Sequence, residues 1–406
     1  MHDLLPSRPK HTRSKSLVEW SMILAFLALL CAPAASLFAQ WQPGGPLAEN
    51  RALAPAPAPP QSFADLIALP QKLSRFADDH FGLRAPLLRW GGWLRFHLFG
   101  EFANVQVISG PSGRLFLTSH LPTHPYSHIR ESCGIGVSEA STAQIAGDIA
   151  RLLDAAHGTA SKAAYVGIPT SAVLYPAELP GWLARRCQEA TPISLSILDQ
   201  VRQTRPDLAP LVTVPLAELR AMEAEGENAI PQRDFHWEGQ AARRIAILVA
   251  HGILGLPDLH PLPVQLLTRP SDLAQFTPGL NWSRAGATAD HAAAGLRSCY
   301  GAGCIASLTP VAAFINEMSQ FSAQDGRGPR VLIVSDSFGT YFSQFIGAFT
   351  SEALHVNMAL DRMNPEQLLV VRNTVLRDFR PDIIIFVAHD GGMRSAGVWA
   401  DRLFGP

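Results

Sequence analysis

Three residues in the second half of the chain have side chains that together suit acyl transfer. Ser337 follows a run of four apolar residues, and Asp234 and His236 stand two positions apart in Arg-Asp-Phe-His-Trp. In a site of this kind a serine attacks the acyl carbon, a histidine takes its proton, and a carboxylate orients the histidine. Side chains two apart on an extended segment point the same way. The sequence therefore predicts Ser337 as the nucleophile, His236 as the base and Asp234 as the carboxylate that orients His236.

Each of these assignments has a plainer alternative. Asp336 or Ser337 would serve equally well as the cap of a following helix, a position that Asp and Ser commonly occupy. The Asp-x-His triplet would also fit a surface turn that happens to contain a histidine. The catalytic interpretation depends on both features occurring in one chain.

The segment around Ser337 reads as a strand, a tight turn and a helix. Residues 331–334 are Val-Leu-Ile-Val, which suits a buried strand, and the mixed segment 338–349 suits a helix. A serine on this turn lies at the carboxyl end of a strand, where ligands gather in open α/β sheets. It also lies at the amino end of a helix, which favours developing negative charge.

The rest of the core alternates between helical and apolar segments, which predicts an α/β domain of three layers with a mostly parallel sheet. A hairpin is expected over 105–117, and residues 193–201 are expected to form a strand followed by a helix. The remaining predicted strands and helices are strands 163–168, 211–214 and 381–387, and helices 141–156, 180–190, 216–225, 240–254 and 365–379. Residues 255–300 are expected to form an insertion near the active site, where Trp282 either stacks on a sugar ring or packs.

Val-Ser-Asp-Ser-Phe, ending at Phe338, resembles the Gly-Asp-Ser-Phe nucleophile block of the alginate O-acetyltransferase family, with Ser335 in place of the glycine. Asp234-Phe-His-Trp237 resembles the family's Asp-x-His-Trp block. Upstream segments follow the family's order as well: Glu49-Asn50-Arg51, Phe76 to Arg84, Val107 to Phe116, and Ile168-Pro169 to Tyr175-Pro176.

This resemblance implies an SGNH-hydrolase-like catalytic domain that acetylates an exported polysaccharide. The family works outside the inner membrane, beside a multispanning membrane O-acyltransferase that supplies acetyl groups. The expected partners are therefore a polysaccharide acceptor, this acetyl supplier and the inner membrane. The expected reaction passes through an acetyl-serine on Ser337, with His236 as base and Asp234 orienting it.

The amino-terminal region predicts a membrane anchor. Residues 1–16 are polar and basic, and residues 17–39 are mostly apolar and long enough to span a bilayer. Basic residues before the span place the amino end in the cytoplasm and the rest in the periplasm. A cleaved signal peptide is the alternative. Residues 40–61 read as a Pro/Ala-rich linker, and residues 62–406 as the acetyltransferase domain.

Cysteine content fits an exported protein. Cys31 lies in the apolar segment, and the other four cysteines form an even set, as disulfides in an oxidising compartment require. Cys299 with Cys304, and Cys133 with Cys187, are the candidate pairs, and free buried thiols are the alternative.

Residues 62–100 carry apolar residues at helical spacing, including an aromatic stripe with Trp90 and Trp93. Packing into the core is the interpretation adopted for this stripe. A membrane-surface or partner-facing role is the alternative.

Several classes of function are not indicated. The net charge of −1 gives no electrostatic case for nucleic-acid binding. His120, His124 and His128 have a spacing that suits metal ligands on a helix, but Pro122 and Pro125 oppose such a helix. No phosphate-cradling glycine fingerprint is present, and neither a metal nor a cofactor is expected.

Two other functions compete with acetyl transfer. The order Ser337, Asp382, His389 would fit an exported α/β hydrolase, since Ser-Asp-Ser-Phe-Gly nearly matches a nucleophile elbow. A non-catalytic scaffold in a polysaccharide-export complex is the second, and Ser335 in place of glycine is its only support. Water in place of sugar as acceptor would make the same apparatus an acetyl esterase.

Overall fold

A computed structural model describes residues 17–39, 41, 43, 45, 47, 53–119, 123–237 and 239–405. The predicted basic tail, the whole of Glu49-Asn50-Arg51, and His120 and Pro122 from the histidine-containing segment lie outside the described residues. The chain divides into two compact units. The first comprises residues 1–103 with 278–280, and the second comprises residues 104–277 with 281–406. Residues 62–103, which the sequence assigned to the large domain, fall in the first unit.

The described residues form thirteen α-helices and eleven strands. The helices are α1 Leu17–Phe38, α2 Phe63–His80, α3 Arg84–Phe99, α4 Ser127–Ser132, α5 Glu139–His157, α6 Ser171–Leu174, α7 Gly181–Glu189, α8 Ile193–Thr204, α9 Leu216–Ala224, α10 Gln240–Ile247, α11 Gly339–Ile346, α12 Pro365–Arg372 and α13 Ser395–Trp399. The strands are β1 Val107–Ser109, β2 Leu115–Leu117, β3 Lys162–Ile168, β4 Val212–Thr213, β5 Val264–Pro270, β6 Ser283–Ala289, β7 Leu296–Tyr300, β8 Ile315–Ala323, β9 Arg330–Ser335, β10 Glu352–Met358 and β11 Ile383–His389.

A seven-stranded sheet forms the centre of the second unit, in the order β4-β3-β11-β9-β10-β8-β7. The first five of these strands are parallel, whereas β8 and β7 are antiparallel to their neighbours. The prediction of a mixed α/β fold with a mostly parallel sheet is therefore confirmed. Because β3, β11, β9 and β10 run in one direction, their carboxyl ends share one edge of the sheet.

Helices cover both faces of this sheet. On one face Leu354 and Val356 of β10 join the large apolar cluster that also contains residues of α5, α8, α12 and α13. Successive side chains of a strand point to opposite faces, so His355 points to the other face. There the first residue of α11, Gly339, lies beside the His355 ring, and α10 packs on α11. The sheet thus forms the middle of three layers.

The secondary structure departs from the sequence predictions in a few places. Residues 193–204 form one helix, α8, rather than a strand followed by a helix. Its buried residues Ile193, Ile197 and Val201 recur every four positions and form one helix face. The strands β5, β6, β7, β8 and β10 were not predicted, because their sequences mix polar and apolar residues and lack the continuous apolar runs of β3, β9 and β11.

Two disulfides lie in the second unit. Cys133 is joined to Cys187, and Cys299 to Cys304, the same pairs that the sequence suggested. Cys31 is a free, exposed thiol in α1. The Cys133–Cys187 bridge ties α4 to α7, and the smaller bridge closes the turn after β7.

The first unit contains α1 and the helices α2 and α3. α1 is long and apolar enough, over Leu17–Leu37, to cross a membrane. α2 has no buried residue, and the only buried residue of α3 is Gly92. The expectation that the aromatic stripe of residues 62–100 packs into a core is therefore wrong. Trp90 and Trp93 are 63% and 46% exposed.

Candidate active site

Ser337 lies on the turn between β9 and α11, at the carboxyl edge of the parallel strands. Val331 to Val334 are fully or almost fully buried, and this burial fixes the end of β9 in the sheet. The cap residue of α11 is Phe338, which makes no side-chain cap hydrogen bond. The Ser337 hydroxyl does not cap the helix, since it is bonded to His236, whereas Asp336, the other candidate cap, accepts the Phe338 N–H.

A chain of hydrogen bonds joins a serine, a histidine and an aspartate. Ser337 Oγ lies 2.7 Å from His236 Nε2, and His236 Nδ1 lies 2.6 Å from Asp272 Oδ2. The structure thus brings together Ser337 and His236, as the sequence predicted, across 101 residues of chain. With Nδ1 donating to the carboxylate, Nε2 is free to accept the serine proton, which is the arrangement that activates a nucleophile.

The acid beside His236 is Asp272, and this corrects the assignment of Asp234. Residues 232–236 form turns and bends rather than a strand, so side chains two apart are not held on the same side. The Asp272 carboxylate accepts the backbone N–H groups of Phe235 and His236, both at 2.8 Å, besides the His236 ring. Burial alone would raise the pKa of Asp272, but the hydrogen bond and charge of His236 hold that pKa below its usual value.

Asp234 contacts the backbone of Asp272 and not the His236 ring. It is fully buried, forms an ion pair with Arg284 on β6, and its Oδ1 accepts the Asp272 N–H at 2.9 Å. Burial, and next the neighbouring charge of Asp272, raise the pKa of Asp234 to about 6, while Arg284 limits the rise. Asp234 and Asp272 therefore hold two segments together, residues 234–236 and the start of a short 3-10 helix at Asp272–Phe276.

Asp272 comes from the region predicted to be an insertion near the active site. β5 and β6 form a separate antiparallel pair, and Asp272 lies in the segment that connects them. Ser271 caps the short helix by accepting the Leu273 N–H and also donates to the Arg233 carbonyl. An aspartate directly after a capping serine was the only local signal for this role, and no spacing rule links it to a histidine 36 residues earlier.

Aromatic side chains fix the block that carries His236. Trp237 is fully buried and its Nε1 donates to the Phe338 carbonyl at 2.9 Å. The rings of Phe235 and Phe338 meet edge to face at 5.3 Å, and the His236 ring lies 4.8 Å from Phe338. The residues that flank base and nucleophile thus pack on each other, which limits how far the two reacting groups can separate.

A second aspartate–histidine pair supports the turn itself. Asp336 accepts the Phe338 N–H at 2.9 Å through one oxygen, and His389 N–H and Nδ1 at 2.8 and 2.6 Å through the other. Burial opposes both charges, yet His389 lowers the pKa of Asp336 and Asp336 raises that of His389.

Asp382, the acid of the α/β-hydrolase alternative, accepts the N–H of Arg330, the first residue of β9. It therefore lies at the opposite end of the sheet from His389, and that alternative is not supported.

Ser335, which stands where the related family has glycine, is bonded into the protein interior. Its Oγ lies 2.7 Å from His355 Nε2 and donates to the Asp336 carbonyl at 2.6 Å. A Cβ on Gly339 would overlap the Ser335 side chain. The turn thus accommodates a serine because the first residue of α11 is a glycine. Burial lowers the pKa of His355 to about 3, so this histidine is neutral.

Within the part of the chain that the structure describes, one backbone N–H at the nucleophile has no hydrogen-bond acceptor. The N–H groups of Phe338 and Gly339 donate to Asp336. Among the described residues, no acceptor is bonded to the N–H of Ser337. This N–H belongs to the nucleophile itself, so it is a candidate donor to an oxyanion formed there.

No known family model and no curated protein matches the sequence. Solved structures that match include a DHHW family protein from Eubacterium siraeum, at 14% identity over 64% of this chain and 88% of that one, with a TM-score of 0.44. AlgX from Pseudomonas aeruginosa matches at 15% identity over 73% of this chain and 66% of its own, with a TM-score of 0.42. The O-acetyltransferase domain of AlgJ from Pseudomonas putida matches at 14% identity over 73% and 98%, with a TM-score of 0.41. Likenesses at this level carry no functional argument for this chain.

Proposed function

We propose that this protein is an O-acetyltransferase that moves an acetyl group through an acetyl-serine to hydroxyl groups of an exported polysaccharide. The observation that carries the proposal is the hydrogen-bond chain from Ser337 Oγ through His236 to Asp272, at 2.7 and 2.6 Å. The sequence motifs around Ser337 and His236, and an amino-terminal helix suited to membrane insertion, also support it.

In the first half of the reaction His236 Nε2 takes the Ser337 proton as Oγ attacks the acetyl carbonyl carbon. Asp272 stabilises the imidazolium that forms, and the Ser337 N–H donates to the oxyanion, an interaction typically worth about 3 kcal/mol. The bond to the donor's leaving group breaks as His236 returns the proton to it. Ser337 then carries the acetyl group as an ester.

In the second half a sugar hydroxyl attacks the acetyl-serine. His236 takes the hydroxyl proton, the oxyanion forms again, and its collapse releases the acetylated sugar. Ser337 Oγ recovers its proton from His236, so the cycle leaves the protein unchanged. Water as acceptor would give acetate by the same steps, and this is the esterase alternative.

The proposed location is the inner membrane, with α1 as a single-pass anchor and the site in the periplasm. A multispanning membrane O-acyltransferase is the proposed acetyl supplier, and a polysaccharide is the acceptor. The non-catalytic scaffold is disfavoured because Ser335, its only support, is bonded within the turn and leaves Ser337 against His236.

The test of transfer against hydrolysis uses the full chain in detergent with an activated acetyl ester and oligosaccharide acceptors. As the acceptor concentration rises, we expect more acetylated sugar and less acetate to form. The rate of donor consumption should stay unchanged or increase. Ser337→Ala is the control for non-enzymatic transfer. Acetate as the sole product across neutral and uronate-containing acceptors would favour the esterase instead.

A further inference from the structure

The helices α2 and α3 expose large apolar side chains to an extent that calls for a covering surface. Ten of these side chains are at least 40% exposed. Soluble proteins rarely leave large apolar patches uncovered unless they bind another surface. The ten are Phe63 77%, Leu66 53%, Ile67 68% and Leu73 48% on α2, and Leu87 52%, Leu88 40%, Trp90 63%, Trp93 46%, Leu98 63% and Phe99 71% on α3.

On α2 the apolar side chains form one stripe. At about 100° per residue, Phe63, Ile67 and the other two exposed apolar residues fall on one side of the helix. Asp65 and Lys72 lie seven residues apart on the opposite side, where they form an exposed ion pair of 3.2 Å. An exposed helix with one apolar and one charged face is typical of a helix lying in a membrane interface.

The junction between α2 and α3 is bonded to the end of α1. The Gly82 N–H, between the two helices, donates to Ser36 Oγ at 3.0 Å. A Cβ on Gly82 would overlap the Trp41 carbonyl, so the two segments are in direct contact. α1 has 22 residues, a length of about 33 Å that matches the hydrocarbon core of a bilayer. Ser36 lies two residues before its end, at the level where the helix would leave the membrane.

We propose that α2 and α3 lie on the periplasmic surface of the membrane that α1 spans, with their apolar side chains in the lipid interface. The covering surface is lipid because the Ser36–Gly82 contact holds the helices at the exit point of α1. Tryptophan is enriched at this depth in membrane proteins, and Trp41, Trp90 and Trp93 are all exposed in this unit. This inference rests on the anchored location given under the proposed function, but not on the chemistry at Ser337.

The test measures what surrounds a spin label on each face of α2. Ile67→Cys on the apolar stripe and Lys72→Cys on the charged face are labelled in full-length Cys31→Ser protein in lipid nanodiscs. Trp90→Cys reports on α3. Accessibility to oxygen, which partitions into lipid, is compared with accessibility to a water-soluble nickel chelate. We expect the labels at 67 and 90 to favour oxygen severalfold, and the label at 72 to favour nickel.

Equal nickel accessibility at positions 67 and 72 would overturn the proposal, because the stripe would then face water. Exclusion of both reagents at position 67 would overturn it as well, since the stripe would be covered by protein, either a second copy or a partner. If the intact mass of protein isolated from membranes showed that α1 had been cleaved off, the proposal would also be overturned, because it requires α1 as a membrane span. Donor hydrolysis by the labelled variants, measured in parallel, tests the chemistry separately: lipid contact without hydrolysis would contradict the proposed function alone.

Discussion

Asp272 and Asp234 lie next to each other but make different contacts. Asp272 bonds the His236 ring, whereas Asp234 bonds Arg284 and the backbone of Asp272. Asp272, which contacts the base, sets the tautomer of His236 and stabilises its positive charge. Asp234 holds the backbone segment that carries Asp272. On the proposed function Asp272 is therefore a catalytic residue and Asp234 is a positioning residue.

We expect Asp272→Asn to lower the turnover number by about 10²–10⁴, because an amide in place of the carboxylate disturbs the tautomer of His236 and gives the imidazolium no countercharge. Asp234→Asn retains an oxygen for the Asp272 N–H and loses only the ion pair with Arg284. It should cost about tenfold or less. Turnover of an activated acetyl ester measures both, and thermal unfolding confirms that each variant is folded. A larger loss in folded Asp234→Asn than in Asp272→Asn would reverse the two roles.

At the scale of elements, the turn from β9 to α11 holds the nucleophile through contacts on both sides. Asp336 binds the N–H groups of Phe338 and His389, which joins the turn to the end of β11. Ser335 reaches back to His355 on β10. Three neighbouring parallel strands thus contribute to the position of one serine, which is what a preorganised site requires.

Gly339→Ala should destabilise the protein by about 1–3 kcal/mol, because the added methyl group overlaps the Ser335 side chain. Ser335→Gly in the same chain removes the overlapping atoms, so the double variant should recover most of that loss. Alanine would then contribute its usual helix-favouring effect. Free energies of unfolding for the two single variants and the double variant give the coupling. Additive effects would show that the two residues do not meet in this way.

The elements that the sequence predicted well are those with long apolar runs or clear helical periodicity. β3, β9 and β11 are buried along nearly their whole length, so each appears in the sequence as a continuous apolar run. β8 and β10 mix polar and apolar residues, since β8 lies toward an antiparallel edge and His355 is buried against α11. Their pairing depends on contacts between distant segments, which a local pattern does not contain.

For the site, sequence reasoning identified the serine and the histidine because both lie in short local motifs. Asp272 was missed because its role is created by β5, β6 and the backbone of residues 235–236 coming together. The local triplet instead pointed to Asp234. In the structure Asp234 contacts Asp272 and not the His236 ring, because the segment assumed to be extended is a turn.

At the scale of the whole molecule, stability is linked to pH through fully buried His355. Its folded-state pKa of about 3 lies below the ordinary 6.5, because burial disfavours the charged form; the charge of Asp336 acts in the opposite sense. Below pH 6.5 the unfolded chain therefore binds a proton at His355 that the folded protein does not. The stability contributed by neutral His355 is fully present above pH 6.5 and is lost as pH falls toward 3.

Between pH 7 and pH 4 this linkage should cost about 3 kcal/mol of unfolding free energy. We expect His355→Asn to lose correspondingly less stability over the same interval, whatever its stability at pH 7. Thermal or denaturant unfolding of both proteins at the two pH values measures the difference, in which contributions from other groups cancel. An identical pH dependence in the two proteins would mean that His355 titrates normally in the fold.

Intact-mass analysis tests whether Ser337 carries the acetyl group. Full-length protein is mixed with an activated acetyl ester, quenched in acid at short times and analysed beside Ser337→Ala and His236→Ala. We expect a transient gain of one acetyl group at Ser337 in the wild type, none at that position in Ser337→Ala, and strongly slowed acetylation in His236→Ala. An adduct of equal size and rate in all three proteins, or one located at another residue, would show that Ser337 is not the nucleophile.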